Sequence, residues 1–412
     1  MNKNIFTLLS LLVFASMVLA ACTGKLVATD VPAGFKCTDA IGCVDIAPDE
    51  PVHIAYALVT SGPDETLGVD ARNGIEIAIE DKGQILGHEI MLTGEDEAGK
   101  PEGGLAAAAK LAADPSIVAV IGTSFSDAAR DGVPILSQAG LIIVSPSNTA
   151  LDLTLEGNEN NHPGYARIAH NDRFQGHAAA QFAFNVLGVR KATTIHDGSL
   201  YAEQLQGVFV DAFQEMGGTI TAQETVDADQ IDMQPVLMNI ATGEPELIFY
   251  PIYIKAGSLI TRQAQETPGL ENTYLMGADG MFSPDVIEIA GDAVEGLYVS
   301  SPDFTVFDEA YTSDFIPKYL ERFGTEPFNI YHAHAYDAFM LIANAIEKVA
   351  VQDQDGSLHI PRQALREALY ITKDHQGLTG NLSCTPTGDC ADAHIAIYQY
   401  HLGKFPPEKI WP

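Results

Sequence analysis

Residues 52 to 149 alternate between short runs of β-branched residues and segments whose apolar positions recur at helical spacing. Ile117 to Ile121 is a continuous apolar run, the pattern of a parallel strand buried on both faces. It stops at Gly122, and Thr123, Ser124 and Ser126 follow. Asp127 to Gln138 reads as a helix closed by Gly140. Leu141 to Val144 is a second buried strand, ending in Ser145, Ser147, Asn148 and Thr149. Upstream lie a strand at Val52 to Val59, a helix from about Gly68 to Asp81, a strand at His88 to Thr93 and an alanine-rich helix from Pro101 to Ala113. In the first of those helices Ala71, Ile75, Ala78 and Ile79 share one face. Such alternation predicts βαβ units, and hence a parallel sheet with right-handed crossovers.

Residues 151 to 166 are polar and read as a loop, after which a second alternating series begins. It predicts helices at Asp172 to Leu187, Ala202 to Met216, Asp232 to Ala241 and about 256 to 266. Strands fall at Ala192 to His196, Thr219 to Val226, Leu247 to Ile252 and Thr273 to Met276. Beyond Ser300, helices return at about 308 to 323, 331 to 350 and 361 to 371, and residues 377 to 400 read as antiparallel strands. The fold class is therefore α/β, with two Rossmann-like lobes built on parallel sheets. Lobe 1 takes 51–170 and 303–377, and lobe 2 takes 171–302 and 378–412. Three strands crossing near 170, 302 and 377 form the hinge.

Ligands of open α/β sheets sit at the C-terminal edge of the strands. Two neighbouring strands of lobe 1 deliver hydroxyls to that edge. Ser126 stands at a helix start, where orphan N–H groups and the helix dipole favour a carboxylate. The alternative is that Ser126 only caps its helix and that Ser145 to Thr149 is only a turn. In lobe 2 the strand ends carry Tyr201, Tyr253 and Asp279. These also have ordinary readings, as interface aromatics and a turn residue within Gly277-Ala278-Asp279-Gly280.

Length and charge narrow the class. The 412 residues hold about two domains, and the formal charge of −33 excludes binding of nucleic acid, which needs clustered Lys and Arg. It also disfavours docking on anionic lipid through a basic face. Residues 1–21 read as an export signal, with Lys3 ahead of an apolar run from Ile5 to Leu19. Leu19-Ala20-Ala21-Cys22 resembles the lipobox of bacterial lipoproteins, which makes Cys22 the lipidated residue and 22–50 a tether. Four cysteines remain, each pair bracketing five residues, and export favours local disulfides Cys37–Cys43 and Cys384–Cys390 over a metal site. No metal or cofactor site is expected. His332 and His334 are two apart and do not share a helix face. The Gly94 to Gly104 segment lacks a Gly-Lys-Ser or Gly-Lys-Thr, and no nucleophile elbow is present, so no enzymatic activity is expected.

Together these residues resemble the leucine/isoleucine/valine-binding proteins, which have the type I periplasmic-binding fold. The resemblance spans nearly all of 51–400. It rests on Gly122-Thr123-Ser124-Phe125-Ser126, Pro146-Ser147-Asn148-Thr149, Ile195-His196-Asp197 with Tyr201, the strand end at Tyr253, Gly277-Ala278-Asp279-Gly280 and Ala335-Tyr336-Asp337-Ala338. It implies that Ser126 and the Thr149 hydroxyl receive a ligand carboxylate. Asp279 and the Ser147 carbonyl would then receive its ammonium, while Tyr201 and Tyr253 cover it. Leu67, Phe125 and Tyr331 are implied as the side-chain pocket. Four positions depart from the family: Gly99 and Phe125 stand where members carry a disulfide, Leu67 stands where an aromatic often lines the pocket, and Asp279 replaces Glu. The implied function is capture of a zwitterionic amino acid, branched-chain above all, outside the cell membrane and its delivery to an ABC permease. The alternatives are a binder of amides, urea or aromatic carboxylates, or the ligand-binding part of a sensor system.

Overall fold

A computed structural model describes residues 34–412 of the chain, so the export signal, Cys22 and the first part of the tether, 22–33, lie outside the described residues. Five parallel strands form the first sheet, in the order Ile90–Asp96, Val52–Leu58, Ile117–Gly122, Ile142–Ser145, Tyr165–Arg167. Every residue of Ile117–Gly122 is buried, as its unbroken apolar run requires, because helices cover both faces. On one face Val118 and Ile121 pack with Ile75, Ala78, Phe339 and Ile342, from helices Glu65–Lys82 and Tyr331–Val349. On the other, Val120 packs with Ala108, Leu111, Val133 and Leu136, from helices Pro101–Ala112 and Ser126–Gln138. Gly74 lets the first helix pair approach closely, since a Cβ there would lie 2.0 Å from the His332 carbonyl oxygen.

The second sheet has seven strands in the order Lys404–Trp411, Ile395–His401, Tyr298–Pro302, Tyr274–Gly277, Leu247–Phe249, Lys191–His196, Thr219–Thr225. Its last five strands are parallel, and the two C-terminal strands add antiparallel to one edge. Both cysteine pairs form the local disulfides, Cys37–Cys43 and Cys384–Cys390.

Three features differ from the sequence reading. The loop expected at 151–166 ends in a real strand, Tyr165–Arg167, too short for its pattern to register. The segment read as tether is structured from Cys43 onward: Cys43–Ile46 pairs antiparallel with Leu358–Pro361, and Val44 and Ile46 enter the first-lobe core. Asp39 accepts from the Gln363 and Ala364 N–H groups and so caps helix Arg362–Tyr370. The third crossover falls later than 377, because Leu382, Cys384 and Cys390 are buried in the first-lobe core while Ala396 is buried in the second. The crossing strands lie side by side, with the Cys390 N–H donating to the Arg167 carbonyl at 3.0 Å and the Asp303 N–H to His394 at 2.9 Å.

Candidate ligand-binding cleft between the lobes

On the first lobe, the chain leaves strand Ile117–Gly122 through a turn held from several sides. Gly122 has φ +142°, and a Cβ there would lie 2.1 Å from the Ala57 carbonyl oxygen, so only glycine fits. The fully buried Glu97 accepts from the Phe125 N–H at 2.8 Å and the Ser124 N–H at 3.0 Å. Burial pushes the Glu97 carboxyl up to about 8, against the pull of those two N–H groups. The hydroxyls of Ser145 and Ser147 donate back to the Thr123 and Ser124 carbonyls at 2.8 and 2.9 Å. Phe125, in extended backbone, occupies the cap position of helix Ser126–Gln138, and Ser126 is its first helical residue rather than its cap. Ser126 lines the cleft at the end where the helix dipole is positive, and its hydroxyl accepts from the Ala150 N–H at 3.4 Å.

On the second lobe, Asp279 opens a single helical turn after strand Tyr274–Gly277. Its Oδ1 accepts from the Tyr201 hydroxyl at 2.8 Å and from Gln175 Nε2 at 2.5 Å. Its Oδ2 accepts from the Tyr331 hydroxyl at 2.7 Å, a bond that crosses from the first lobe. Burial, followed by the Asp279 charge, holds the hydroxyls of Tyr201 and Tyr331 well above the usual phenol range, so both stay protonated donors. Gln175 escapes sequence reading. The available signal is a polar residue on the buried face of helix Asp172–Gln181, where it also donates to the Ser300 carbonyl at 3.0 Å.

Phe125 and Tyr253 meet across the cleft as a parallel stack, with ring centroids 3.9 Å apart. Leu67, Phe125, Ser126, Ser147, Tyr201, Tyr253, Asp279 and Tyr331 all line one small cavity of about 20 Å³. The stacked pair separates it from a wider part of the cleft, about 340 Å³, bordered by Asp64, Asp127, Asp197 and Lys255. Two of these carboxylates bridge the lobes: Asp127 accepts from the Leu200 N–H at 2.9 Å and Asp64 from the Ile254 N–H at 3.2 Å. Each thereby satisfies an orphan donor in the first turn of an opposing helix. These contacts hold the two lobes together beside the cavity.

Thr149 departs from its expected place. It is fully buried and does not line the cavity; its carbonyl accepts from the Asp172 N–H at 2.9 Å. The two discounted histidines point apart. His332 pairs with Asp70 at 2.7 Å, whereas His334 packs edge-on against Phe307, and burial lowers it to about 3.

Hydroxyls at a helix start on one lobe, a carboxylate on the other and three crossing strands between them define a two-lobed solute-binding protein. The chain belongs to the periplasmic binding protein family, whose model matches residues 51–403. It is a substrate-binding protein of the extracytoplasmic kind rather than an enzyme. No helix among the described residues is long and apolar enough to cross a membrane. A Leu/Ile/Val-binding protein, BraC3, of Rhizobium johnstonii is 24% identical over 88% of this chain and 96% of its own. The structure of a leucine-binding protein, LivK, of Thermotoga maritima superposes with a TM-score of 0.78 at 27% identity, covering 88% of this chain and 99% of that one. The branched-chain amino-acid binding protein LivJ of Streptococcus pneumoniae, in complex with isoleucine, shares the fold with a TM-score of 0.76 at 23% identity, over 88% and 100% of the two chains.

Proposed function

We propose that the protein captures an α-amino acid of the branched-chain type outside the cell membrane and passes it to an ABC permease. The carrying observation is the placement of Asp279 across the cleft from Ser126 and Ser147, within one cavity. A zwitterion needs acceptors for its ammonium and donors for its carboxylate, both preorganised, or the cost of stripping its water cancels the gain. Asp279 receives the ammonium. The Ser126 hydroxyl and the first N–H groups of its helix receive the carboxylate. Leu67, Phe125 and Tyr253 supply the apolar wall for an aliphatic side chain, in keeping with the names of the relatives. Closure about the hinge then presents the permease with a shape that depends on the ligand. Lipidation at Cys22 keeps the protein at the membrane that holds its partner, with the segment before Cys37 as tether.

The test is calorimetric titration of the protein, unfolded and refolded to remove carried ligand, against the twenty amino acids and a set of amides and carboxylates. Saturable binding of leucine, isoleucine or valine supports the proposal, and Asp279→Ala then abolishes it. Binding restricted to molecules without an α-ammonium overturns it. Mass spectrometry of the membrane fraction reads the lipid on Cys22, and an unmodified cysteine there removes the anchor.

A further inference from the structure

Two side chains of the first lobe reach the second from one short segment at the start of helix Tyr331–Val349. The Tyr331 hydroxyl donates to Asp279 Oδ2 at 2.7 Å, and Asn329 Nδ2 donates to the Phe282 carbonyl at 2.7 Å. The two are tied to each other, because Asn329 Oδ1 accepts from the Tyr331 N–H at 3.1 Å. Their landing points belong together as well: Asp279 opens and Phe282 closes the single helical turn after strand Tyr274–Gly277.

What fixes this segment lies behind it. Asp70, on helix Glu65–Lys82, is fully buried and holds the segment at both ends. Its Oδ1 accepts from the Phe328 N–H at 3.0 Å, and its Oδ2 accepts from His332 Nδ1 at 2.7 Å. A carboxylate only accepts, so the imidazole carries a hydrogen on Nδ1; its Nε2 meets the Tyr311 hydroxyl at 3.0 Å. The Tyr319 hydroxyl is a third donor to Asp70, at 2.7 Å, and burial, followed by the Asp70 charge, holds it well above the usual phenol range. Gly74 stands one turn beyond Asp70, and its missing Cβ lets the His332 backbone sit against the same helix. Ile330, at the cap position of helix Tyr331–Val349, has no side-chain acceptor, so the segment is anchored from outside. Neither Asp70 nor His332 lines the ligand cavity.

We infer that Asp70 is a positioning residue for ligand capture. By gripping Phe328 and His332 it sets the segment between them so that Asn329 and Tyr331 meet the second lobe together, and it thereby governs how tightly the lobes close on a ligand. The inference rests on the proposed amino-acid function and deepens it. With both ends of the segment held, the two cross-lobe bonds form from side chains whose backbone is already ordered. Without Asp70 the ordering cost falls on closure, and hence on ligand affinity.

The experiment is a mutant cycle read by ligand affinity. Leucine, isoleucine and valine are titrated into the wild type and into Asp70→Asn, and then into the same pair carrying Asn329→Ala and Tyr331→Phe. Asp70→Asn keeps the shape of the side chain but turns an N–H group toward the donors it should accept from. In the wild-type background it raises Kd about tenfold or more. In the background without the two cross-lobe bonds it raises Kd less than about threefold, because the contacts that it positions are gone. His332→Gln releases only one end of the segment and shows the same dependence on background with a smaller loss, which carries the test should Asp70→Asn not fold. Urea unfolding of each ligand-free variant reads the cost to the fold separately. Equal losses of affinity in the two backgrounds, or a Kd unchanged by both substitutions, overturn the inference and leave Asp70 a residue of the first-lobe core. A wild type that binds none of the three amino acids overturns the proposed function instead, and this inference with it.

Discussion

The Tyr331 hydroxyl, carried by the first lobe, donates to Oδ2 of Asp279 on the second at 2.7 Å. It is a hydrogen bond to a charged group, fully buried, and it exists only when the lobes are together. Such bonds contribute about 1.5–3 kcal/mol. Tyr331→Phe therefore raises the Kd for ligand by about ten- to a hundredfold, which titration calorimetry reads. Unfolding of the ligand-free protein changes far less, and an equal loss in both would mean that the bond serves folding rather than closure.

The stack of Phe125 on Tyr253 closes the side-chain end of the cavity. Aromatic pairs contribute about 0.5–1.5 kcal/mol beyond the area they bury. Phe125→Ala weakens closure by at least that amount and merges the small cavity with the wider cleft. The expected outcome is looser binding of the preferred ligand together with a smaller penalty for bulkier side chains. Affinities for a series from alanine to phenylalanine decide it.

Asp337 holds the turn between strands His375–Gly377 and Gly380–Leu382 within the first lobe. Fully buried, it accepts from the Leu378 and Thr379 N–H groups at 2.8 Å each and from the Thr379 hydroxyl at 2.6 Å. Asp337→Ala strands three donors and destabilises the protein by about 3 kcal/mol or more. Urea unfolding monitored by circular dichroism measures the change.

Glu97 ties stability to pH in a direction opposite to that of most carboxylates. Its folded pKa, about 8, lies above its ordinary value of 4.5, because burial disfavours the charge. The folded state therefore holds a proton that the unfolded state has lost between these two values. The Glu97 contribution is full below the unfolded pKa and is lost as pH rises toward about 8. Urea midpoints accordingly fall from pH 5 to pH 8. Asp64, raised to about 7 by burial, acts in the same sense. Glu97→Gln, neutral throughout, shows a shallower decline than the wild type, whatever its absolute stability.

Much of this protein is written locally in the chain. Apolar runs such as Ile117 to Ile121 determine buried strands, because a strand covered on both faces needs apolar side chains on both. Small and polar residues end those strands, so Ser126, Ser147, Tyr201, Tyr253 and Asp279 are legible as edge residues before any packing is known. The paired cysteines are legible for the same reason, since each bridge closes a loop of neighbours. Only the tertiary structure decided what those edge residues touch. Gln175 and Tyr331 stand 104 and 52 residues from the carboxylate they bond, and Glu97 stands 28 from the Phe125 N–H that it holds. The same holds for Thr149, whose carbonyl receives the Asp172 N–H from past the crossover. Periodicity records which face of an element is apolar, whereas these pairings depend on how separate elements and lobes are brought together.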